Sequence, residues 1–215
     1  MIYLRAGLYA EGPSDYEILL RLIPRVLDAL GASLFPGACE VGETLGIDAP
    51  PSEKSTRRSD RIAAAVKASF DLCELFIIHS DSAGDPSAAR RTCIDPGVAA
   101  ARARHPERAL VAVACVPVRE IEAWLLADAE PFRRLLGRAV SPALPADPER
   151  DLDPKATLRR ILLDGGARRG PESVYAFIGE NVQLKALRAL PAYRAFEDDL
   201  TRAIHAVAEA QGQRA

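Results

Sequence analysis

Two runs without polar interruption restrict the fold most. Leu75, Phe76, Ile77 and Ile78 stand unbroken inside "CELFIIHSD", and "ALVAVACVPV" fills 109–118. A strand with one solvated face alternates apolar and polar residues, whereas a strand that is apolar throughout needs cover on both faces, as in parallel sheets. Around these runs lie helical patterns. Residues 2–10 read as a strand entering a sharp turn at Glu11-Gly12. Beyond the turn Ile18, Leu19, Leu22, Ile23, Val26, Leu27 and Leu30 recur at helical spacing. Ser14 and Glu17 make a capping-box signature, Gly31 marks a natural stop, and Pro24 implies a kink or local break. A connection over 32–59, with "APPSEKSTRRSD" its most loop-like part, is long enough to be mobile or functional. A second helix is expected over 60–70, and an Ala- and Arg-rich helical region interrupted at Asp95-Pro96-Gly97 leads to the second apolar run.

The fold class that follows is α/β, a mainly parallel sheet flanked by helices. After Pro117 the pattern is helical nearly to the end. The loop "AVSPALPADPERDLDP" divides an α/β domain over 1–138 from a helical extension over 139–215 packed on it. In "YRAFEDDLTRAIHAVAEA" the face formed by Tyr193, Phe196, Leu200 and Ile204 must be buried, either at home or against a second subunit, so an oligomer is open.

Composition narrows the functional classes. The 215 residues are 48% hydrophobic and 27% charged, as expected of a soluble globular chain. A net charge of -2 argues against a generally basic nucleic-acid-coating protein and leaves local or metal-mediated contact. MIYLRAGLYA is too short and polar for a signal peptide, and no segment reaches the roughly 20 apolar residues of a membrane span, so a cytoplasmic protein is expected. Cys39, Cys73, Cys93 and Cys115 lie far apart, and His79, His105 and His205 are the only histidines, which disfavours a zinc enzyme or a redox pair. Cys73 and Cys115 read as buried fillers. Neither a G-x-x-x-x-G-K-[ST] loop nor a G-x-S-x-G elbow occurs.

The chemistry lies in the acids at strand ends. Ligands of open parallel sheets bind beyond the carboxyl ends of the strands. Glu11 ends the first strand, Asp81 ends "LFIIHSD", and Glu120 and Glu122 follow the "VAVACVPV" strand. Carboxylates gathered on one rim repel unless a cation or proton intervenes. Oxygen ligands of this kind suit Mg²⁺ or Mn²⁺, and the chemistry such ions serve is phosphoryl transfer or phosphodiester hydrolysis. Taken singly, each acid is equally readable as a helix cap or turn residue. Lys155, in "DPK" at a helix start that Asp153 can cap and Pro154 can open, could neutralise a phosphate or a developing negative charge. His79 shares a strand face with Asp81 and could orient water or simply fill the core. Arg57, Arg58 and Arg61, like Arg90 and Arg91, are candidate phosphate contacts or solvated helix faces.

"YAEGPSDYEILLRLI", "FIIHSDSAGD", "VPVREIEAWLLAD" and "DPKATLRRIL" resemble the successive motifs of an uncharacterised bacterial family related to the Toprim domain, the fold of topoisomerases, primases and the overcoming-lysogenization-defect nucleases. The resemblance covers most of the chain. It implies a Toprim-like fold and metal roles for Glu11 and Asp81, and it favours Glu122 over Glu120 as the third acid. The alternative for "REIEAWLLAD" is an amphipathic helix with Trp124 in the core. One departure is plain: the Toprim Asp-x-Asp is here Asp81-Ser82-Ala83, so that Asp85 substitutes for the second acid or the site holds fewer ligands. The expectation is an Mg²⁺-dependent, phosphodiester-cleaving enzyme, most plausibly a nuclease on DNA or RNA. Glu11, Asp81, Asp85 and Glu122 are its candidate ligands, and Lys155 its phosphate contact. Such relatives often work beside a partner ATPase in bacterial defence or DNA repair. The competing expectation is a Toprim-like binding or interaction subunit without catalysis.

Overall fold

The computed structural model describes residues 1–54, 56–106, 109–137, 142–167 and 171–212. The first strand is broken at Arg5 into β1 (Ile2–Leu4) and β2 (Ala6–Tyr9). Helix α1 (Pro13–Leu34) follows, then β3 (Cys39–Val41), β4 (Leu45–Gly46), a single 3₁₀ turn and α2 (Arg58–Ser69). Next come β5 (Leu75–His79), α3 (Pro86–Ala89), a π-helical turn over Arg90–Ile94, α4 (Asp95–Arg104) and β6 (Ala112–Cys115). The rest is helical: α5 (Glu122–Leu125), α6 (Glu130–Leu136), α7 (Pro154–Asp164), α8 (Pro171–Asn181), α9 (Leu184–Leu187) and α10 (Pro191–Gly212). Among the described residues no helix is long and apolar enough to cross a membrane.

All strand pairs are parallel. β1 pairs with β3, and a four-stranded sheet runs in the order β4-β2-β5-β6. The apolar run of β5 splits by alternation: Leu75 and Ile77 face one core, Phe76 and Ile78 the other. α2, the π turn and α4 cover the second face with Ile62, Val66, Ile94 and Ala101. α1 covers the first, together with the C-terminal helices, whose Tyr175, Ile178, Tyr193, Phe196 and Leu200 join Leu19, Ile23 and Leu27 in one cluster. The extension expected from residue 139 thus shares the core of the α/β part, and the face of Tyr193, Phe196, Leu200 and Ile204 is buried within the chain. The expected boundary falls on 138–141, outside the described residues.

Local details depart from the sequence reading for physical reasons. α1 starts one residue before Ser14, because Pro13 is pre-set for the first helical turn. The residue three on from the Gly12 cap is therefore Asp15, whose Oδ2 accepts from the Gly12 N–H at 2.8 Å, and the Ser14/Glu17 box does not form. The helix passes Pro24 unbroken and runs beyond Gly31 to Leu34. Gly31 is instead a point of close approach, where a Cβ would lie 2.7 Å from Cys39 Sγ. Asp95-Pro96-Gly97 opens α4 directly from the π turn instead of interrupting the helical region. The connection expected as loop supplies β3 and β4, too short to carry a strand pattern.

Candidate functional site

Because β2, β5 and β6 are neighbours in one parallel sheet, their exits lie side by side. From the first exit Glu11 turns toward the second. Its Oε1 accepts from Ser80 Oγ at 2.7 Å and lies 2.7 Å from Arg58 Nη1. Arg58 also donates to the carbonyls of His79 at 2.9 Å and Cys93 at 3.3 Å, so a guanidinium at the start of α2 ties β5 to Glu11.

His79 is fully buried at the centre. Its Nδ1 faces the Cys115 carbonyl oxygen at 3.0 Å, a contact that only an N–H satisfies. Its Nε2 is 3.4 Å from Asp81 Oδ1 and 3.7 Å from Asp15 Oδ2, within ion-pair reach though not aligned as a hydrogen bond. Burial works against a charged imidazole here, but Asp81, the Cys115 side chain and the nearby Asp15 overcome it and hold the pKa well above the ordinary 6.5. Acceptors at both ring nitrogens make an imidazolium the fitting state.

The loop after Asp81 is stitched to the third exit. Ser82 N donates to Arg119 O at 3.0 Å and Gly84 N to Val118 O at 2.7 Å, while Ser82 Oγ also donates to Val118 O. Ala83 takes φ 50°, a left-handed conformation disfavoured for residues with a Cβ. Asp85 is exposed and caps α3, its Oδ1 accepting from Ala88 N at 2.8 Å.

At the third exit Glu122 has no exposed surface, and its carboxylate meets Lys155 Nζ at 3.2 Å. Burial raises the Glu122 pKa, with Lys155 opposing. Lys155 comes from the first turn of α7, where Asp153 accepts from Ala156 N at 2.8 Å and Pro154 opens the helix, as the sequence suggested. Its backbone N–H donates to Glu120 Oε2 at 3.2 Å. Since α5 is a single turn, Glu120 and Glu122 do not diverge as a longer helix would require; both converge on Lys155. Burial lowers the Lys155 pKa, but Glu122, Glu120 and Asp15 together raise it above 10.5. Trp124 is fully buried, edge-on to Tyr193 with ring centroids 5.2 Å apart.

The structure therefore sets Glu11 and Asp81 at adjacent strand exits, Glu11 on Ser80 and Arg58 and Asp81 beside His79, and joins Glu122 to Lys155. Asp85 it leaves at the surface as a cap. Two participants escape a reading of strand ends, Asp15 and Ser80, while Glu120, read there beside Glu122 and set behind it, proves to share Lys155 with it. Asp15 was findable, since a proline at the first helical position fixes which acid reaches back to the cap.

The chemistry of the donors fits a hard divalent cation. Glu11 and Asp81 offer carboxylate oxygens from adjacent strands, and Asp81 Oδ1 is buried without a hydrogen bond. Among the described residues no three His, Cys, Asp or Glu side chains gather to hold a metal. Two carboxylates nevertheless suffice for Mg²⁺, which keeps several waters and takes substrate phosphate. Compared with protein-family models, with curated proteins and with solved structures, the chain matches none.

Proposed function

We propose that this protein is a Toprim-like, Mg²⁺-dependent enzyme that cleaves phosphodiester bonds of nucleic acid, with a partner ATPase as its natural companion. One observation carries the reading: Glu11 and Asp81 leave neighbouring parallel strands at the edge where such sheets bind ligands, Glu11 held by Ser80 Oγ and Asp81 beside the His79 ring. Glu11 and Asp81 would hold the ion, which when bound polarises the phosphate and lowers the pKa of attacking water. Asp15 and His79 fix the Asp81 carboxylate in place. Lys155, about one-third exposed, presents an ammonium for a phosphoryl oxygen, and buried Glu122 anchors it. On this reading Glu122 is a positioning residue, because a carboxylate without exposed surface touches neither ion nor substrate, and Asp85 is a helix cap.

A second reading has its own support. Arg58 on Glu11 and a charged His79 between Asp15 and Asp81 already balance the rim, and Ala83 occupies the place of a second acid, as expected of a binding subunit without catalysis. Purified protein incubated with DNA or RNA and Mn²⁺ separates the two. Metal-dependent cleavage abolished by Glu11→Gln and by Asp81→Asn, with unfolding midpoints retained, is the expected result. Undiminished cleavage in both variants would overturn the assignment. Mn²⁺ binding lost in both variants without any cleavage would favour the subunit.

A further inference from the structure

The loop-like "APPSEKSTRRSD" stretch contributes Lys54, and the residues on either side of it Asp48 and Arg61, to a second feature. Beside Glu11 opens a cleft of about 530 Å³, bordered by Pro13, Tyr16, Asp48, Lys54 and Arg61. The volume lies within the usual range of small-ligand sites, roughly 300–1,000 Å³. Its wall is rigid on one side, since the Tyr16 hydroxyl accepts from Ala10 N at 3.1 Å and donates to Ile47 O at 2.8 Å.

Two cations face it. Arg61 Nε is buried and has no hydrogen-bond partner among the described residues, a state that proteins rarely leave uncompensated. Lys54 pairs with Asp48 at 2.8 Å, but both side chains are 57% exposed, and so open a pair holds its ammonium weakly. The Asp48 carboxyl lies below its ordinary 3.8, first through the Lys54 hydrogen bond and also through Arg61, so the two cations surround one small carboxylate. The acids that an incoming anion must tolerate are Asp48 and Glu11, and Glu11 is already bridged by Arg58 and Ser80.

We infer that this cleft binds a phosphate ester, with Arg61 and Lys54 gripping its non-bridging oxygens and the Tyr16 wall fixing its approach to Glu11. A guanidinium fork with a donor to spare and an ammonium free to turn are the pair that suits phosphate. The inference rests on the phosphodiester reading of the Glu11 rim, and names where the substrate phosphate sits on the β4 side of it. The same chemistry fits a phosphate of a nucleic-acid strand or of a free nucleotide.

The test is fluorescence anisotropy with a labelled, 5′-phosphorylated oligothymidylate in EDTA at low salt, with dTTP as competitor. Arg61→Gln should weaken binding by about tenfold and reduce the salt slope by about one. Lys54→Ala, on an exposed side chain that cannot unfold the protein, should weaken it less, and Glu11→Gln should bind as well or better. Efficient competition by dTTP identifies a nucleotide site; its absence identifies a strand site; either supports the cleft. Failure of the wild type to bind, or wild-type binding by both Arg61→Gln and Lys54→Ala, overturns it. Cleavage retained in Glu11→Gln together with Arg61-dependent binding would discard the rim chemistry and keep the cleft. Cleavage lost in Glu11→Gln with Arg61-independent binding would do the reverse.

Discussion

Glu122 and Asp128 stand six residues apart in the same "REIEAWLLAD" stretch, are both buried, and do different things. Asp128 accepts backbone N–H groups on both oxygens, from Glu130 at 2.9 Å and from Gln183 at 2.9 Å, and so ties α6 to the junction of α8 and α9. Glu149, likewise buried, accepts from Ala192 N at 3.1 Å at the start of α10. Glu122 takes no backbone N–H from another segment; it faces the side chain of Lys155. An acid satisfied by main-chain donors is committed to holding helices together. An acid satisfied only by a flexible cation holds that cation in place, and the cation reaches solvent.

The comparison breaks most visibly at Asp128. Replacing it with Ala leaves two backbone donors unsatisfied, and should cost about 3 kcal/mol at roughly 1.5 for each hydrogen bond to a charged group. Urea unfolding checks this, and a loss below half that figure would mean that water replaces the carboxylate. At the rim the expected balance is reversed. Lys155→Met strands the Glu122 charge and should cost about 2 kcal/mol, whereas Lys155→Met with Glu122→Gln should recover most of it, because removing both partners of a buried pair is far cheaper than removing one. A double-mutant cycle with no coupling would show that the pair does not matter to stability.

The smallest effect concerns pH. Burial raises the Glu149 pKa, against the lowering by Ala192 N. A carboxyl with a raised folded value contributes stability that is full below its unfolded value, near 4.5, and is lost as pH rises through the folded value. Glu149→Gln should therefore flatten the fall in stability above pH 4.5, read from urea midpoints at several pH values. Parallel curves for variant and wild type would remove Glu149 from the titration.

Much of the fold was legible along the chain. The β5 run, the α2 pattern and the Asp153-Pro154 start of α7 act through neighbours a few residues away, so spacing and residue type decide them. The strand-end positions of Glu11 and Asp81 were legible for the same reason. What those acids touch was not. Asp15 reaches His79 across 64 positions of sequence, Ser80 reaches Glu11 across 69, and Glu120 and Glu122 converge on Lys155 from a single-turn helix and the residues before it.

The sequence alone determined an α/β chain with apolar parallel strands and acids at their ends, because alternation and capping are local consequences of backbone geometry. Only the tertiary structure decided which acids became partners. The order β4-β2-β5-β6 set the exits beside one another, and burial then required Asp15 and Glu122 to take whatever donor or cation the neighbouring strand or helix supplied.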